Sequence, residues 1–257
     1  METTKTPHLS PSGHAGFTLT ELLAVLAVLA LLATLPLLAL TKDRLAVHQA
    51  KCAANLKQLT VDSSLYTSDL GAFLPFTSAW VTTLNRYGPM AAQAAVCPAA
   101  PGPTSPAPTD SFGTADHSWV LAATPPTVAG SYAFNGWLYS GQTGVSKAFA
   151  KPASIQKPEL TPVFCDAVWL DAWPAETDPP ARNLYTGVPE SQIGRATISR
   201  HGGMDPARAP RSVPPGAVLP GAINIGMSDG HAETVRLQKL WDYCWHLNWI
   251  PPATRPN

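Results

Sequence analysis

The sequence predicts an α+β fold, in which a long N-terminal helix packs on a small antiparallel β-sheet head with long Pro-rich loops. Residues 17–40 form an almost unbroken apolar run, and apolar residues continue at helical spacing to residue 70. Beyond this point the chain changes to short strand-like runs separated by turn signals. The chain has 27 prolines and only 13% charged residues, a composition typical of a β- or loop-rich domain outside the cytoplasm.

The charge balance argues against a generic nucleic-acid binder. The 257-residue chain has 17 basic and 17 acidic residues, so its formal net charge is zero, and Lys and Arg form no long run. A protein that binds nucleic acid needs a basic patch. The residues after the first forty suffice for one domain with a buried core.

Residues 17–40 are long enough to cross a membrane as a helix. A bilayer core of about 30 Å needs roughly 20 apolar residues, whose backbone amides must bond internally. One ionised group, Glu21, lies near the start, and a carboxylate in lipid marks a functional site by default. A secretory signal peptide fits less well, because the run is too long and no clear cleavage site follows Leu40. A plain membrane anchor gives no reason for Glu21.

A motif precedes this run. The residues Gly16-Phe17-Thr18-Leu19-Thr20-Glu21 resemble the processing site of type IV prepilins and type II secretion pseudopilins. The resemblance implies that residues 1–16 are a leader, that prepilin peptidase cuts between Gly16 and Phe17, and that the new amine is methylated. It also gives Glu21 an assembly role. In a low dielectric, its carboxylate can pair with the Phe17 amine of a neighbouring subunit.

The flanking charges disagree with the orientation that this resemblance implies. The leader has only Lys5, offset by Glu2. Beyond the apolar run, Asp43 is outnumbered by four basic residues, Lys42, Arg44, Lys51 and Lys57. The positive-inside rule alone would place residues 41 onward in the cytoplasm. We follow the resemblance, which implies a cytoplasmic leader and a head outside the cytoplasmic membrane.

A further helical segment is predicted for residues 41–70. Its apolar face consists of Leu45, Cys52, Leu56, Leu59, Tyr66 and Leu70. Elsewhere on the helix lie Lys51, Lys57, Asp62 and Ser63. With Gly71 as the stop, one helix would cover 17–70, roughly 80 Å in length, with a kink at Pro36. The alternative is two helices with a break between Pro36 and Asp43.

Further residues resemble a pseudopilin-like family of planctomycete and verrucomicrobial type. On the helix, the pattern Cys-x-x-Asn-Leu-Lys-Gln is formed by Cys52, Asn55, Leu56, Lys57 and Gln58. The family also has a later Cys-Pro, a Ser-Tyr-x-x-Asn and a C-terminal His…Asp-Gly-His. These are matched by Cys97-Pro98, by residues 131–135, and by His201 with Asp229-Gly230-His231. The chain departs from the family in the long Pro- and Arg-rich insertion, 204–222, that separates His201 from Asp229.

The remaining elements are predicted to be short. Residues 72–96 are expected to form a short helix or strand against the stem, and residues 98–130 have the composition of a surface loop. Asn135-Gly136 predicts a hairpin turn. A strand is expected to begin within residues 161–173, followed by a loop over 174–194.

The C-terminal motif predicts a hairpin, in which Asp229-Gly230 supplies the tight turn. Together with Asp205, the residues His201, Asp229 and His231 are of the types that bind zinc or manganese. The turn needs no metal to explain it, and His201 can pair within the sheet, so we expect no metal and no cofactor. Calcium stays open, because carboxylates occur in loops but in no Asp-x-Asp-x-Asp pattern.

The four cysteines, Cys52, Cys97, Cys165 and Cys244, include no Cys-x-x-Cys pair, which excludes a zinc ribbon or a thioredoxin-type motif. Outside the cytoplasm they can form one or two disulfides. They can equally be small buried hydrophobes, and the sequence does not fix any pairing.

Signals for catalysis are weak. Ser199 lies near His201 but lacks the Gly-x-Ser-x-Gly elbow, and Asp166 with Asp171 is a carboxylate pair of a kind found in any chain of this size.

The tail, residues 240–249, contains three tryptophans. We expect them to close the core. The alternative is a subunit or polysaccharide contact.

These features favour a non-catalytic pseudopilin subunit. The resemblance implies a single-pass protein of the cytoplasmic membrane that is trimmed by prepilin peptidase. It further implies assembly through residues 17–70 with other pseudopilins and an assembly platform, in a type II secretion or type IV pilus-like filament. Residues 71–257 would form the extracytoplasmic head. The alternatives are a membrane-anchored binding module without a filament and an anchored hydrolase.

Overall fold

In the computed structural model of the protein, the described residues are 17–77, 79–88, 91–102, 109–122, 127–142, 145–187 and 191–257. Of residues 31–42 only the helical backbone is described. The chain divides into two compact units, Met1–Lys42 and Asp43–Asn257. Helices and strands are both present, which confirms the α+β class. The predicted leader, residues 1–16, lies outside the described residues.

Helix α1 comprises Leu19–Leu70, against a predicted range of 17–70. In the first unit, every large apolar side chain from Phe17 to Leu29 is exposed, by 47% to 83%. Among the described residues, no helix has an apolar stretch long enough to cross a membrane. Residues 31–40 of the predicted span, and the predicted kink at Pro36, fall within 31–42, whose side chains are not described.

In the second unit, the predicted apolar face of α1 is largely confirmed. Cys52, Leu56 and Leu59 are fully buried, while Lys51 and Lys57 are exposed. The helix ends before Gly71, which has φ +65° and donates its amide to the Thr67 carbonyl. A glycine at this position relieves the strain of a left-handed conformation.

The prediction for α1 was wrong at three positions. Asp62 and Ser63 are buried, and Leu70 is 56% exposed. Residues three and four positions after Leu59 share its face, so the buried stripe continues through Asp62 and Ser63. The last turns of α1 border an open groove of about 280 Å³ instead of packed core.

The head contains a five-stranded sheet with the order β5-β3-β4-β6-β7 and a separate β1-β2 pair. Neighbouring strands are antiparallel, apart from the parallel pair β3 and β5. The strands are β1 Trp119–Leu121, β2 Val128–Gly130, β3 Tyr132–Asn135, β4 Pro162–Asp166, β5 Asp171–Ala172, β6 Ala222–Met227 and β7 Ala232–Arg236. Two short helices precede them, α2 Trp80–Leu84 and α3 Ala91–Ala94.

The sheet has an apolar cluster on each face. On one face, Leu56 of α1 clusters with Phe134 and Phe164 of the strands. On the other face, Ile223 and Ile225 of β6 cluster with the tail tryptophans Trp241, Trp245 and Trp249. This arrangement follows from the alternation of side chains along each strand. It also confirms that the tail closes the core.

Strand β6 lies very close to α1 at Gly226. A Cβ added at this glycine would collide with Thr60 Oγ1 and lie 3.2 Å from the Leu56 carbonyl oxygen. All six residues of β6 are buried. A residue without a side chain is therefore what allows this strand to lie against the helix backbone.

Two further predictions for the head were wrong. Asn135-Gly136 makes no hairpin, because the Asn135 side chain accepts from the Trp137 amide and starts a short 3-10 helix, Gly136–Leu138. Residues 98–130 include β1 and β2, with Trp119 fully buried, and are not a simple surface loop. In contrast, the strand expected within 161–173 is present as β4.

Candidate functional site

The Cys-x-x-Asn-Leu-Lys-Gln motif of α1, residues 52–58, links this helix to the rest of the head. Cys52 forms a disulfide with Cys97, with Cα atoms 5.0 Å apart. One turn later, Asn55 Nδ2 donates to the Val96 carbonyl at 3.0 Å. Leu56 is buried, Lys57 is exposed, and Gln58 Nε2 donates to Asp62 Oδ1 at 2.9 Å.

The other two cysteines, Cys165 and Cys244, are free thiols. Cys165 is fully buried, and burial raises the pKa of its thiol, as expected for an inert core residue. The disulfide interpretation therefore applies to Cys52 and Cys97, and the interpretation as a buried hydrophobe applies to Cys165, whereas Cys244 is only partly buried.

A buried ion pair lies behind the disulfide. Arg200 Nη1 donates to Asp166 Oδ1 at 3.0 Å, and both side chains are fully buried. The guanidinium also donates to four backbone carbonyls, those of Thr114, Ala115, Ser131 and Ala167. Arg200 is thus satisfied in full, as a buried guanidinium must be.

The second oxygen of Asp166 joins the ion pair to β6 and to His201. Oδ2 accepts from the Asn224 amide at 2.7 Å and lies 3.2 Å from His201 Nε2. Burial alone raises the pKa of Asp166, but His201, Arg200 and the Asn224 amide together lower it below its ordinary value. Asp166 is therefore held as a carboxylate inside the core.

This geometry bears on the residues considered for catalysis. Asp166, Ser199 and His201 are all buried, with at most 3% exposure. Asp171 forms its own ion pair with Arg195 at 2.8 Å, and burial raises its pKa. These side chains are committed to internal contacts.

The structure does not bring together the four candidate zinc or manganese ligands, which are His201, Asp205, Asp229 and His231. His201 pairs with Ala222 at the start of β6, whereas Asp229 follows the other end of this strand. Six strand residues extend for about 20 Å. Asp205 instead caps a short 3-10 helix, by accepting from the Ala207 amide at 3.1 Å.

The predicted C-terminal hairpin is confirmed. β6 and β7 are joined by a turn in which Gly230 has φ +93° and Asp229 Oδ1 lies 2.6 Å from His231 Nδ1. Both of these polar side chains are partly exposed. The turn itself thus accounts for the Asp-Gly-His residues.

The tail tryptophans are core residues with satisfied indole groups. Trp241, Trp245 and Trp249 are at most 7% exposed, and each Nε1 donates to a backbone carbonyl. Beside them, His246 Nε2 lies 3.1 Å from Glu176 Oε2, which also accepts from Lys147 at 2.9 Å. This polar group borders a pocket of about 140 Å³.

At the N-terminus, Thr18 and Glu21 form a capping box. The Thr18 amide and hydroxyl donate to Glu21 Oε2 at 2.9 and 2.7 Å, and Thr18 Oγ1 lies 3.3 Å from the Glu21 amide. Such a reciprocal pair satisfies amides that the first helical turn leaves without partners. Phe17, which precedes the cap, is 83% exposed. Gly16 lies outside the described residues.

Comparison with known proteins bears on this end of the chain. Residues 11–35 match the family model described as the prokaryotic N-terminal methylation motif. The match supports a pilin- or pseudopilin-like chain that is processed by prepilin peptidase and assembles with pilin-like subunits. It includes Gly16, Phe17 and Glu21 but no residue of the head. No curated protein and no solved structure matches the chain significantly.

Sequence reasoning missed the structural roles of three residues in these sites. Thr18 was recognisable from the Thr-x-x-Glu spacing of a capping box. Asp166 was recognisable as a charged residue that ends an apolar strand. Gln49 gave no signal, yet its side chain donates to Thr234 Oγ1 and accepts from the Gly202 amide.

Proposed function

We propose that this chain is a non-catalytic, pseudopilin-type filament subunit. Prepilin peptidase would cut between Gly16 and Phe17, and the new N-terminus would be methylated. The apolar part of α1 would hold the subunit in the cytoplasmic membrane and then pack beside other subunits. The head would lie outside the membrane, in a type II secretion or type IV pilus-like filament.

The observation that carries this proposal is the methylation motif, which covers residues 11–35. The exposed apolar side chains between Phe17 and Leu29 support it, because they surround the helix and need an apolar environment such as lipid or other subunits. The capping box supports it too, since the cap is Thr18, the second residue of the proposed mature chain, and the helix begins directly after it at Leu19.

Assembly would also use the carboxylate of Glu21. In the first helical turn, this side chain lies near the proposed N-terminus, Phe17. A charged amine and a carboxylate from adjacent subunits would neutralise each other in the apolar interior of a filament.

The non-catalytic part of the proposal rests on the head. Its candidate acid, Asp166, is fully buried and paired with Arg200. A general acid or base must come within hydrogen-bond reach of a substrate. The burial of the tail tryptophans likewise weakens the alternative of a polysaccharide-binding module, because stacking on sugars requires an exposed ring face.

Intact-mass and N-terminal mass spectrometry of the protein from its native membranes tests the proposal. We expect a chain that begins at Phe17 and carries one extra methyl group. Cells without prepilin peptidase are the control and should retain residues 1–16. A native protein that keeps Met1, or that is cut near Leu40, would refute the processing step.

Filament assembly needs a separate measurement. Cross-linking in native membranes through a cysteine introduced at Val28, which is 57% exposed, should give ladders of oligomers. A cysteine at exposed Val218 of the head is the comparison position. A processed protein that gives only monomers at both positions would favour the anchored binding module instead.

A further inference from the structure

Three potential metal ligands from distant parts of the chain meet in the head, and the carboxylate of Asp166 lies beside one of them. Cys52 Sγ, Cys97 Sγ and one ring nitrogen of His201 all lie within 4.8 Å of one another. His201 Nε2 is 3.7 Å from Cys97 Sγ and 3.2 Å from Asp166 Oδ2. All four residues are buried, with at most 3% exposure. In the structure the two sulfurs are joined as a disulfide.

Two thiolates, an imidazole and a carboxylate form a donor set that suits zinc. A tetrahedral zinc ion with bonds of about 2.0–2.3 Å separates its ligand atoms by roughly 3.3–3.8 Å. The two separations from His201 Nε2, 3.7 Å to sulfur and 3.2 Å to oxygen, are already close to this spacing. The two sulfurs must separate, which requires reduction of their bond, and the Asp166 carboxylate must move nearer to them, because it lies outside the group of atoms within 4.8 Å.

The surrounding charges allow either state to be buried. With the disulfide closed, Asp166 and Arg200 cancel each other. With zinc bound, two thiolates and Asp166 contribute three negative charges, and zinc and Arg200 contribute three positive charges. Both sums are zero, so neither state leaves a net charge in the core.

We propose that Cys52, Cys97, His201 and Asp166 form a redox-controlled zinc site. A thiol reductant would supply two electrons, and two protons would be taken up, to convert the disulfide into two thiols while the reductant becomes a disulfide. One Zn²⁺ then binds the two sulfurs, and both thiol protons are released.

The ring nitrogen of His201 that carries the proton differs between the disulfide state and the zinc state. In the closed state, the proton lies on Nε2, because this nitrogen is 3.2 Å from a carboxylate oxygen and must donate to it. In the zinc state, the proton moves to Nδ1, and the metal takes its place between Nε2 and Asp166. The link that Cys52 and Cys97 make between α1 and the rest of the head would thus persist under both oxidising and reducing conditions.

Metal binding to the full-length chain in detergent tests this proposal. The protein is reduced with a phosphine in mild denaturant and refolded without oxygen, with Zn²⁺ or with Co²⁺ as the spectroscopic probe. We expect one metal ion per chain, a thiolate-to-cobalt absorption band, and protease resistance that returns only with the metal. The oxidised chain, treated identically, should bind none.

Variants assign the ligands. His201→Gln should weaken zinc binding more than the roughly 100-fold that changes in outer contacts cost. Cys97→Ser should do the same without altering the contact between His201 and Asp166. The double variant Cys165→Ser/Cys244→Ser is the matched control and should still bind one ion.

Three results would overturn the proposal. The first is a reduced chain that retains no more metal than the oxidised chain. The second is a reduced chain that stays protease-sensitive with Zn²⁺ present. The third is wild-type zinc affinity after either ligand change.

Discussion

Arg200 donates a hydrogen bond to Asp166 at 3.0 Å, and neither side chain has any contact with solvent. This pair joins the segment before the long insertion to the end of β4, while the other carboxylate oxygen binds the backbone of β6. Residues far apart in the sequence are thus held by one carboxylate. We therefore expect the head to be sensitive to substitution of either residue of this pair.

Asp166→Ala should destabilise the head by about 3–5 kcal/mol, because it leaves the Arg200 charge buried and unpaired. The free energy of unfolding can be followed by the fluorescence of the eight tryptophans in the full-length chain. Arg208→Ala is the control, since it breaks the exposed pair with Asp205, leaves the Asp205 cap in place, and should cost no more than about 1 kcal/mol. Equal losses in the two variants would contradict a special role for the buried pair.

Gly226→Ala should destabilise the protein by about 1–3 kcal/mol, because its Cβ would overlap Thr60 Oγ1 and push β6 away from α1. Gly102→Ala is the matched control, because its Cβ would have its nearest neighbour at 3.7 Å. Adding Thr60→Ala to Gly226→Ala should recover part of the loss in a double-mutant cycle. Simple additivity of the two changes would count against this contact.

Glu21→Gln and Thr18→Val separate the two roles of the N-terminal motif. Gln retains the capping geometry but removes the charge, so we expect intact membrane insertion and loss of assembly. Val removes the capping hydroxyl and keeps the charge, so assembly should persist, with the helix start destabilised by about 1 kcal/mol. Cross-linking through Val28→Cys provides the readout. Assembly that fails in Thr18→Val and persists in Glu21→Gln would assign Glu21 to capping alone.

Stability should fall on acidification through the titration of Glu176. Burial raises the pKa of this carboxyl, but hydrogen bonds from Lys147, its own backbone and His246 outweigh burial and lower the pKa to about 2. A group with a depressed folded-state pKa stabilises the protein above its ordinary pKa of 4.5, and this contribution is lost between about pH 5 and pH 2.

Glu176→Gln should therefore reduce the pH dependence of unfolding in this window, by about 1 kcal/mol after solvent screening. Lys147→Met should act in the same direction, because it removes the donor. Lys239→Met removes a lysine from the exposed pair with Asp242 and serves as the control. An unchanged pH profile in Glu176→Gln would show that other carboxyls carry the acid sensitivity.

The sequence by itself determined the local features of this protein. Apolar spacing identified the buried face of α1 at Cys52, Leu56 and Leu59, and Asp229-Gly230 identified the hairpin turn. The methylation motif was readable because its residues are consecutive. Each of these signals depends on neighbours within a few positions, where backbone geometry alone relates the side chains.

Only the tertiary structure decided which distant residues meet. Asp166 and His201 lie in separate segments, and the insertion after His201 hid the pairing of that segment with β6. The choice between a disulfide and four buried thiols likewise depended on how close the chain brings Cys52 to Cys97. Such contacts are set by the packing of α1 on the sheet, which sums weak interactions over the whole head and leaves no short-range pattern in the sequence.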